Sequence, residues 1–180
     1  MEEHVILVDQ NDIPQGKMEK LEAHQKGALH RAFSIFIFND NNELLLQQRA
    51  EGKYHSGGLW TNTCCSHPRE GESNLEATQR RLGEEMGMSC DLTYAFNFLY
   101  KVKFEDGLTE HELDHVFFGS SNKKPVINLD EVMDFKYMKL DLLKKDIEYN
   151  PNNYTIWLKI CLEKVIQHME FVENKNGHTA

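Results

Sequence analysis

Apolar residues cluster in short runs through the first half of the chain and recur at helical spacing near its end, a distribution that predicts strands first and helices later. Residues 5–8 (VILV) read as an opening strand that stops at residues 12–16 (DIPQG), a turn by its proline and glycine. A helix-like or irregular stretch then runs through Lys20 and His24. Residues 31–38 and 43–48 are apolar runs separated by the Asn- and Asp-rich residues 39–42, which predicts a hairpin. Ser73 and Glu76 have capping-box spacing, and Leu75, Leu82 and Met86 then fall on one face until Gly87 supplies a stop, so a helix of about four turns is predicted. Residues 92–118 read as two strands around the turn at 105–107, and residues 131–137 as a short strand. Residues 140–147 and 155–172 have helical periodicity, with Ile156, Leu158, Ile160, Leu162, Val165 and Met169 available for a core, and residues 173–180 form a polar tail. This order predicts a single domain over residues 1–180, an α/β fold with a mixed central sheet sandwiched between helices.

The length of 180 residues suits one domain with a proper core. A net charge of −9 argues against non-specific binding to nucleic acid or to an anionic membrane, both of which need a basic surface. It leaves room for a diphosphate, which needs only a few local cations. The longest apolar runs are far below spanning length and the acidic opening residues lead into no secretory core, so a cytoplasmic protein is expected. Cys64, Cys65, Cys90 and Cys161 show no disulfide-framework spacing, and adjacent Cys64 and Cys65 cannot pair without severe strain, which suits a reducing compartment.

Residues two apart share a face of a strand, so Glu110, Glu112 and Asp114 stand on one side of the strand ending near residue 118. Like charges so placed are stable only on a solvated edge or around a cation. With His24, His30 and His67 elsewhere in the chain, a metal is the favoured reading. His4, His55, His111, His115, His168 and His178 have no such company and read as surface or core residues. Cys65 and His67 also share a face if extended, and a cation nearby would favour the Cys65 thiolate. Cys64, Cys90 and Cys161 read as small buried hydrophobes.

The stretch from Ser66 to Met88 resembles a Nudix box, G-x5-E-x7-R-E-U-x-E-E-x-G-U with U apolar, in which Glu72, Arg80, Leu82, Glu84, Glu85, Gly87 and Met88 match. Its opening glycine is Ser66 and its first helical glutamate is Arg81, a cation where a hydrolase needs a metal-binding carboxylate. TNTCCSHP at 61–68, LHRAFS at 29–34, LLLQQRA at 44–50 and EHE at 110–112 ahead of Val116 and Phe117 are collinear, and together resemble type I isopentenyl-diphosphate isomerase across most of the chain.

The resemblance implies the Nudix α/β/α fold and the transposition of a double bond between isopentenyl and dimethylallyl diphosphate. It implies one divalent metal, zinc or manganese, on His24, His30, His67, Glu110 and Glu112, and a magnesium ion that meets Glu85 when it arrives with the diphosphate. Cys65 and Glu112, the latter with Tyr100, match the family's acid-base residues. Lys20, Arg49, Lys53, Ser66 and Arg81 match positions that contact the diphosphate. Trp157 reads either as core on a terminal helix or as the aromatic face over the substrate's alkyl end. Glu85 likewise reads either as a surface i,i+4 pair with Arg81, worth roughly a few tenths of a kcal/mol, or as the box carboxylate, which its position favours. The rival functions are a Nudix hydrolase and a non-catalytic metal- or diphosphate-binding module. Neither the oligomeric state nor the choice of metal is written in these motifs.

Overall fold

β3 (His30–Phe38) is the spine of the sheet because its alternate side chains feed two separate cores. Phe33, Ile35 and Ile37 point to one side, where α2 (Asn74–Met86) covers them with Ala77, Leu82 and Met86. Phe36 and Phe38 point to the other, against Leu143 of α3 (Leu140–Tyr149) and Leu158, Cys161, Leu162 and Val165 of α4 (Ile156–Gly177). The result is the expected layering of helix, mixed sheet and helix. The computed structural model describes residues 3–53 and 55–177, and nine strands among them form one sheet.

On one edge β3 runs parallel to β8 (Thr109–Ser120), with His30 opposite Glu112 and Phe38 opposite Ser120. On the other edge it meets three partners in succession. β1 (His4–Val8) touches it at His30, β6 (Cys64–Ser66) pairs with residues 33–35, and β4 (Glu43–Arg49) joins at Phe38. The predicted hairpin of β3 and β4 therefore closes only at its mouth, where Phe38 pairs with Leu44. β6 takes the edge that a full hairpin would use, and β4 departs to pair with β5 (Trp60–Thr61) and β9 (Val132–Lys139). β7 (Leu92–Lys103) pairs antiparallel with β8, as the turn at 105–107 predicts.

One further expectation is corrected. The segment read as a turn at residues 12–16 leads into β2 (Pro14–Glu19), which pairs antiparallel with β1. Proline is tolerated there because it opens an edge strand. α4 continues to Gly177, into the stretch read as a polar tail, while residues 178–180, with His178, lie outside the described residues. The α2 boundaries hold as read: the Ser73–Glu76 capping box is formed, and Gly87 ends the helix at φ 60°. A Cβ at Gly87 would stand 2.4 Å from the Val126 carbonyl oxygen, so the 126 segment can dock there only against glycine.

Between β5 and β6 the buried residues Asn62 and Thr63 fasten three strands to one another. Asn62 Nδ2 donates to the carbonyls of Ile35 (3.2 Å) and Cys64 (2.8 Å). Thr63 Oγ1 donates to the Leu45 carbonyl at 2.6 Å and accepts from the Ile37 N–H at 2.9 Å. Thr63→Val keeps the shape but leaves a buried N–H and a buried carbonyl without this hydroxyl. It is expected to lower the unfolding free energy by about 1–3 kcal/mol, read from the urea midpoint at unchanged m-value.

Candidate active site

Strand register alone brings Tyr100, Glu112 and His30 into one row. Glu112 stands opposite Tyr100 on β7 and opposite His30 on β3. The Tyr100 hydroxyl donates to Glu112 Oε2 at 2.6 Å, while His67 Nε2 donates to Oε1 at 2.8 Å and His30 Nε2 lies 3.3 Å from the same oxygen. Glu110, on the same face of β8, has Oε2 3.5 Å from His24 Nε2 and Oε1 2.8 Å from His55 Nε2. His24 reaches the cluster because α1 (Lys20–Lys26) is short and ends at Gly27 in the left-handed region (φ 62°). That turn is anchored by His111, whose Nδ1 donates to the Gly27 carbonyl at 2.9 Å.

The arrangement fits a divalent metal. Donor atoms of His24, His30, His67 and Glu112 all lie within 4.8 Å of one another, and every one of these residues is buried. His24 Nδ1 and His30 Nδ1 donate to the carbonyls of Lys20 (2.6 Å) and Ala28 (2.9 Å), which leaves the Nε2 lone pairs for the cluster's centre. Among the described residues His30 Nε2 and Glu110 Oε2 are buried without a hydrogen bond, an expensive condition that a metal would relieve. Burial holds His67 at about 4 against the pull of Glu112, so its imidazole is neutral at pH 7, the ligand form. Burial works against both carboxylates, yet the histidine hydrogen bonds outweigh it: His30 and His67 keep Glu112 well below the usual carboxylate range, and His24 and His55 keep Glu110 below it. Both are ionised.

A cleft opens beside this cluster. Ala32 of β3 lines it, as do Cys65 and Glu112 on β6 and β8, the strands on the two edges of β3. Cys65 is in register with Ser34 and so shares the α4 side of the sheet with Tyr100 and Trp157, whereas Cys64 faces the α2 core. Trp157 is buried in the α4 core, as one of its readings has it, and it also lines the cleft, with its Nε1–H donating to Thr61 Oγ1 at 2.9 Å. Ser66 and Arg49 line the cleft as well, with the Arg49 guanidinium 5.2 Å from the centre of the Trp157 ring.

The thiolate expected at Cys65 depends on a cation beside it, and the protein's own groups pull the other way. Burial, foremost, pushes its thiol up to about 12; Arg49 opposes, but the charges of Glu85, Asp114 and Glu112 add to the rise. Asp114, on the same face as the two glutamates, takes no part in their cluster. Burial and the Glu112 charge raise its carboxyl well above the usual range, and its Oδ2 accepts from Ser34 Oγ at 2.8 Å.

The expected phosphate-binding cations gather at one end. Burial, then the charges of Arg49, Arg81 and Lys20, lowers the Lys53 ammonium below its ordinary value, opposed by Glu85. Arg81 pairs with Glu85, with Glu84 at 2.8 Å and with Glu131 at 3.3 Å, and Lys53 also pairs with Glu131. Glu85 is paired with Arg81, but it is only 4% exposed and accepts from Gln47 Nε2 at 2.8 Å, which rules out a surface pair. Lys20 lies with Glu3 at 2.9 Å.

Of the histidines set aside in the sequence, one belongs here. His55 contacts Glu110 and lines the cleft, a placement that no spacing announced because a loop delivers it. Among the described residues the others stay away: His111 holds the α1 turn, His115 Nε2 lies 3.2 Å from Asp12, His168 packs on Phe118, and His4 sits on β1.

Comparison with known proteins agrees with this geometry. The NUDIX domain family matches residues 28–158. A crystal structure from Deinococcus radiodurans superposes with a TM-score of 0.76 at 16% identity, covering 90% of this chain and 98% of that one, which shows the shared fold. Isopentenyl-diphosphate Delta-isomerase 2 of Aromatoleum aromaticum is 55% identical over 166 residues, covering 92% of this chain and 88% of the relative. The chain belongs to the isopentenyl-diphosphate Delta-isomerase family. Another member, from Pectobacterium atrosepticum, is 52% identical over 173 residues, 96% of this chain and 97% of its own. Among the described residues no helix of this family member is long and apolar enough to cross a membrane. Its His/Glu cluster generates a direct expectation: purified protein carries one divalent transition metal per chain, and His30→Ala loses most of it, as elemental analysis would read.

Proposed function

We infer that the chain interconverts isopentenyl diphosphate and dimethylallyl diphosphate in isoprenoid biosynthesis. The carrying observation is that Cys65 and Glu112, from the strands on the two edges of β3, line one cleft together with Trp157, beside a set of half-buried cations. Isomerisation adds a proton at C4, leaves a tertiary cation at C3 and removes a proton from C2, so it needs two proton-handling groups around a small apolar substrate. Glu112, relayed through the Tyr100 hydroxyl, gives the proton and Cys65 takes one. A protonated Cys65 thiol with an ionised Glu112, the pair that burial of the thiol and the histidine hydrogen bonds to Glu112 favour, is the one that forward turnover leaves and reverse turnover needs. Trp157 offers the negative face of its ring to the cation, and the buried walls keep out water that would quench it.

His24, His30, His67, Glu110 and Glu112 would hold zinc or manganese, as mixed nitrogen and oxygen donors suit. When bound, that ion would supply a fixed positive charge beside Glu112, and magnesium at Glu85 would offset charge on the diphosphate. Lys20, Arg49, Lys53, Ser66 and Arg81 bind the diphosphate. Supporting this, the buried Nε atoms of Arg49 and Arg81 have no hydrogen-bond partner among the described residues, as donors awaiting an anion would. Four free cysteines favour a cytoplasmic setting.

The direct assay incubates the protein with labelled isopentenyl diphosphate and magnesium. Dimethylallyl diphosphate should form without release of phosphate; phosphate release without isomer would instead make the protein a hydrolase. Cys65→Ala is expected to reduce turnover by about 10² to 10⁴ with the fold intact, and Cys64→Ala, which alters only the α2 core, to be mild. Equal losses would reject the assignment of Cys65. Arg81→Glu removes a phosphate contact and adds repulsion, so it should act mainly by raising KM; unchanged KM and kcat would place Arg81 outside the substrate site.

A further inference from the structure

We propose that His55 is a positioning residue for the metal cluster: its Nε2–H holds Glu110 Oε1 and thereby presents Glu110 Oε2 to the metal. This rests on the metal reading given above. The two oxygens of Glu110 are used differently. Oε1 lies 2.8 Å from His55 Nε2, whereas Oε2 is 3.5 Å from His24 Nε2 and, among the described residues, is buried with no hydrogen bond. An ionised carboxylate so divided has one oxygen fixed and one left for a cation. The Ser56 hydroxyl, 3.3 Å from His55 Nδ1, can donate to that nitrogen, which leaves the ring proton on Nε2 where Glu110 accepts it.

The ring is itself held in place. It stacks on Phe104, beyond the end of β7, with centroids 5.4 Å apart and planes 21° apart, and it meets the Trp157 ring edge-on at 5.9 Å. Its backbone carbonyl accepts from Arg49 NH2 at 3.3 Å. His55 thus joins the loop that carries Lys53 to the metal cluster and to the aromatic wall of the cleft. Neither the box nor the four collinear motifs include it.

Zinc affinity, measured by competition with a chromophoric chelator, tests the assignment apart from activity. His55→Phe preserves the ring contacts and removes the donor, so zinc binding should weaken by about 10- to 100-fold. His55→Gln, whose amide can donate to Oε1, should recover much of the loss. His55→Leu serves as a second donor-free variant should the phenylalanine fail to fold, with circular dichroism as the check. In cobalt-substituted protein the absorption bands should keep their positions in His55→Gln and in the donor-free variant, because no ligand is removed. Unchanged zinc affinity in a folded donor-free variant overturns the proposal. So do cobalt bands reporting the loss of a nitrogen ligand, which would make His55 a direct ligand. A wild-type protein that binds no zinc, manganese or cobalt would instead fail the metal reading itself.

Discussion

Two ionised carboxylates on one strand, both taken out of water, set the terms for everything around them. Glu110 and Glu112 stand on the same face of β8 and are almost fully buried, a placement that is unfavourable by several kcal/mol per ion unless each is matched. The matching comes from four imidazoles and a phenol drawn from α1, β3, the β4–β5 loop, the end of β6 and β7. No local segment could supply them. The parallel register of β3 and β8, the left-handed turn at Gly27 and the polar fastening at Asn62 and Thr63 are therefore requirements of the site as much as of the fold.

A similar economy of charge appears at the phosphate end. A protein of net charge −9 concentrates Lys20, Arg49, Lys53 and Arg81 close enough to depress Lys53, and shields them with Glu85 and Glu131. Arg81 occupies a box position where a hydrolase keeps a carboxylate, and its guanidinium ties to Glu84 and Glu85, two of the carboxylates the box retains. The helix keeps its frame and its capping while a cation stands where the box carries a carboxylate.

Much of this was legible from residue order. The apolar run at residues 31–38, the capping box at Ser73 and the shared face of Glu110 and Glu112 each follow from local pattern, and the structure repeats them. What escaped depended on contacts far along the chain. β2 hid behind a proline and a glycine because an edge strand tolerates both, and the β3–β4 hairpin was cut short by β6, whose pairing with residues 33–35 no local signal encodes. At Cys65 spacing showed a neighbouring imidazole, but not the burial or the three carboxylates that push its thiol up. His55 was missed for a similar reason: a loop residue acquires its meaning only from the Glu110 it happens to reach.

The pairing of β3 with β8 also fixes when the cluster can exist during the protein's synthesis. Ser34 and Asp114 are hydrogen-bonded neighbours 80 positions apart, and His30 and Glu112 lie in the same parallel ladder. Parallel pairing over such a separation pays its loop-closure entropy before any contact rewards it. His24, His30, His55 and His67 all leave the ribosome before either glutamate, so a nascent chain would expose four imidazoles with no carboxylate to hold them. Stray cations met at that stage would find only a loose, flexible set of nitrogens. A metal held by this cluster would therefore be captured selectively only once β8 has docked, and loading of the site would be a late reporter of correct folding rather than its nucleus.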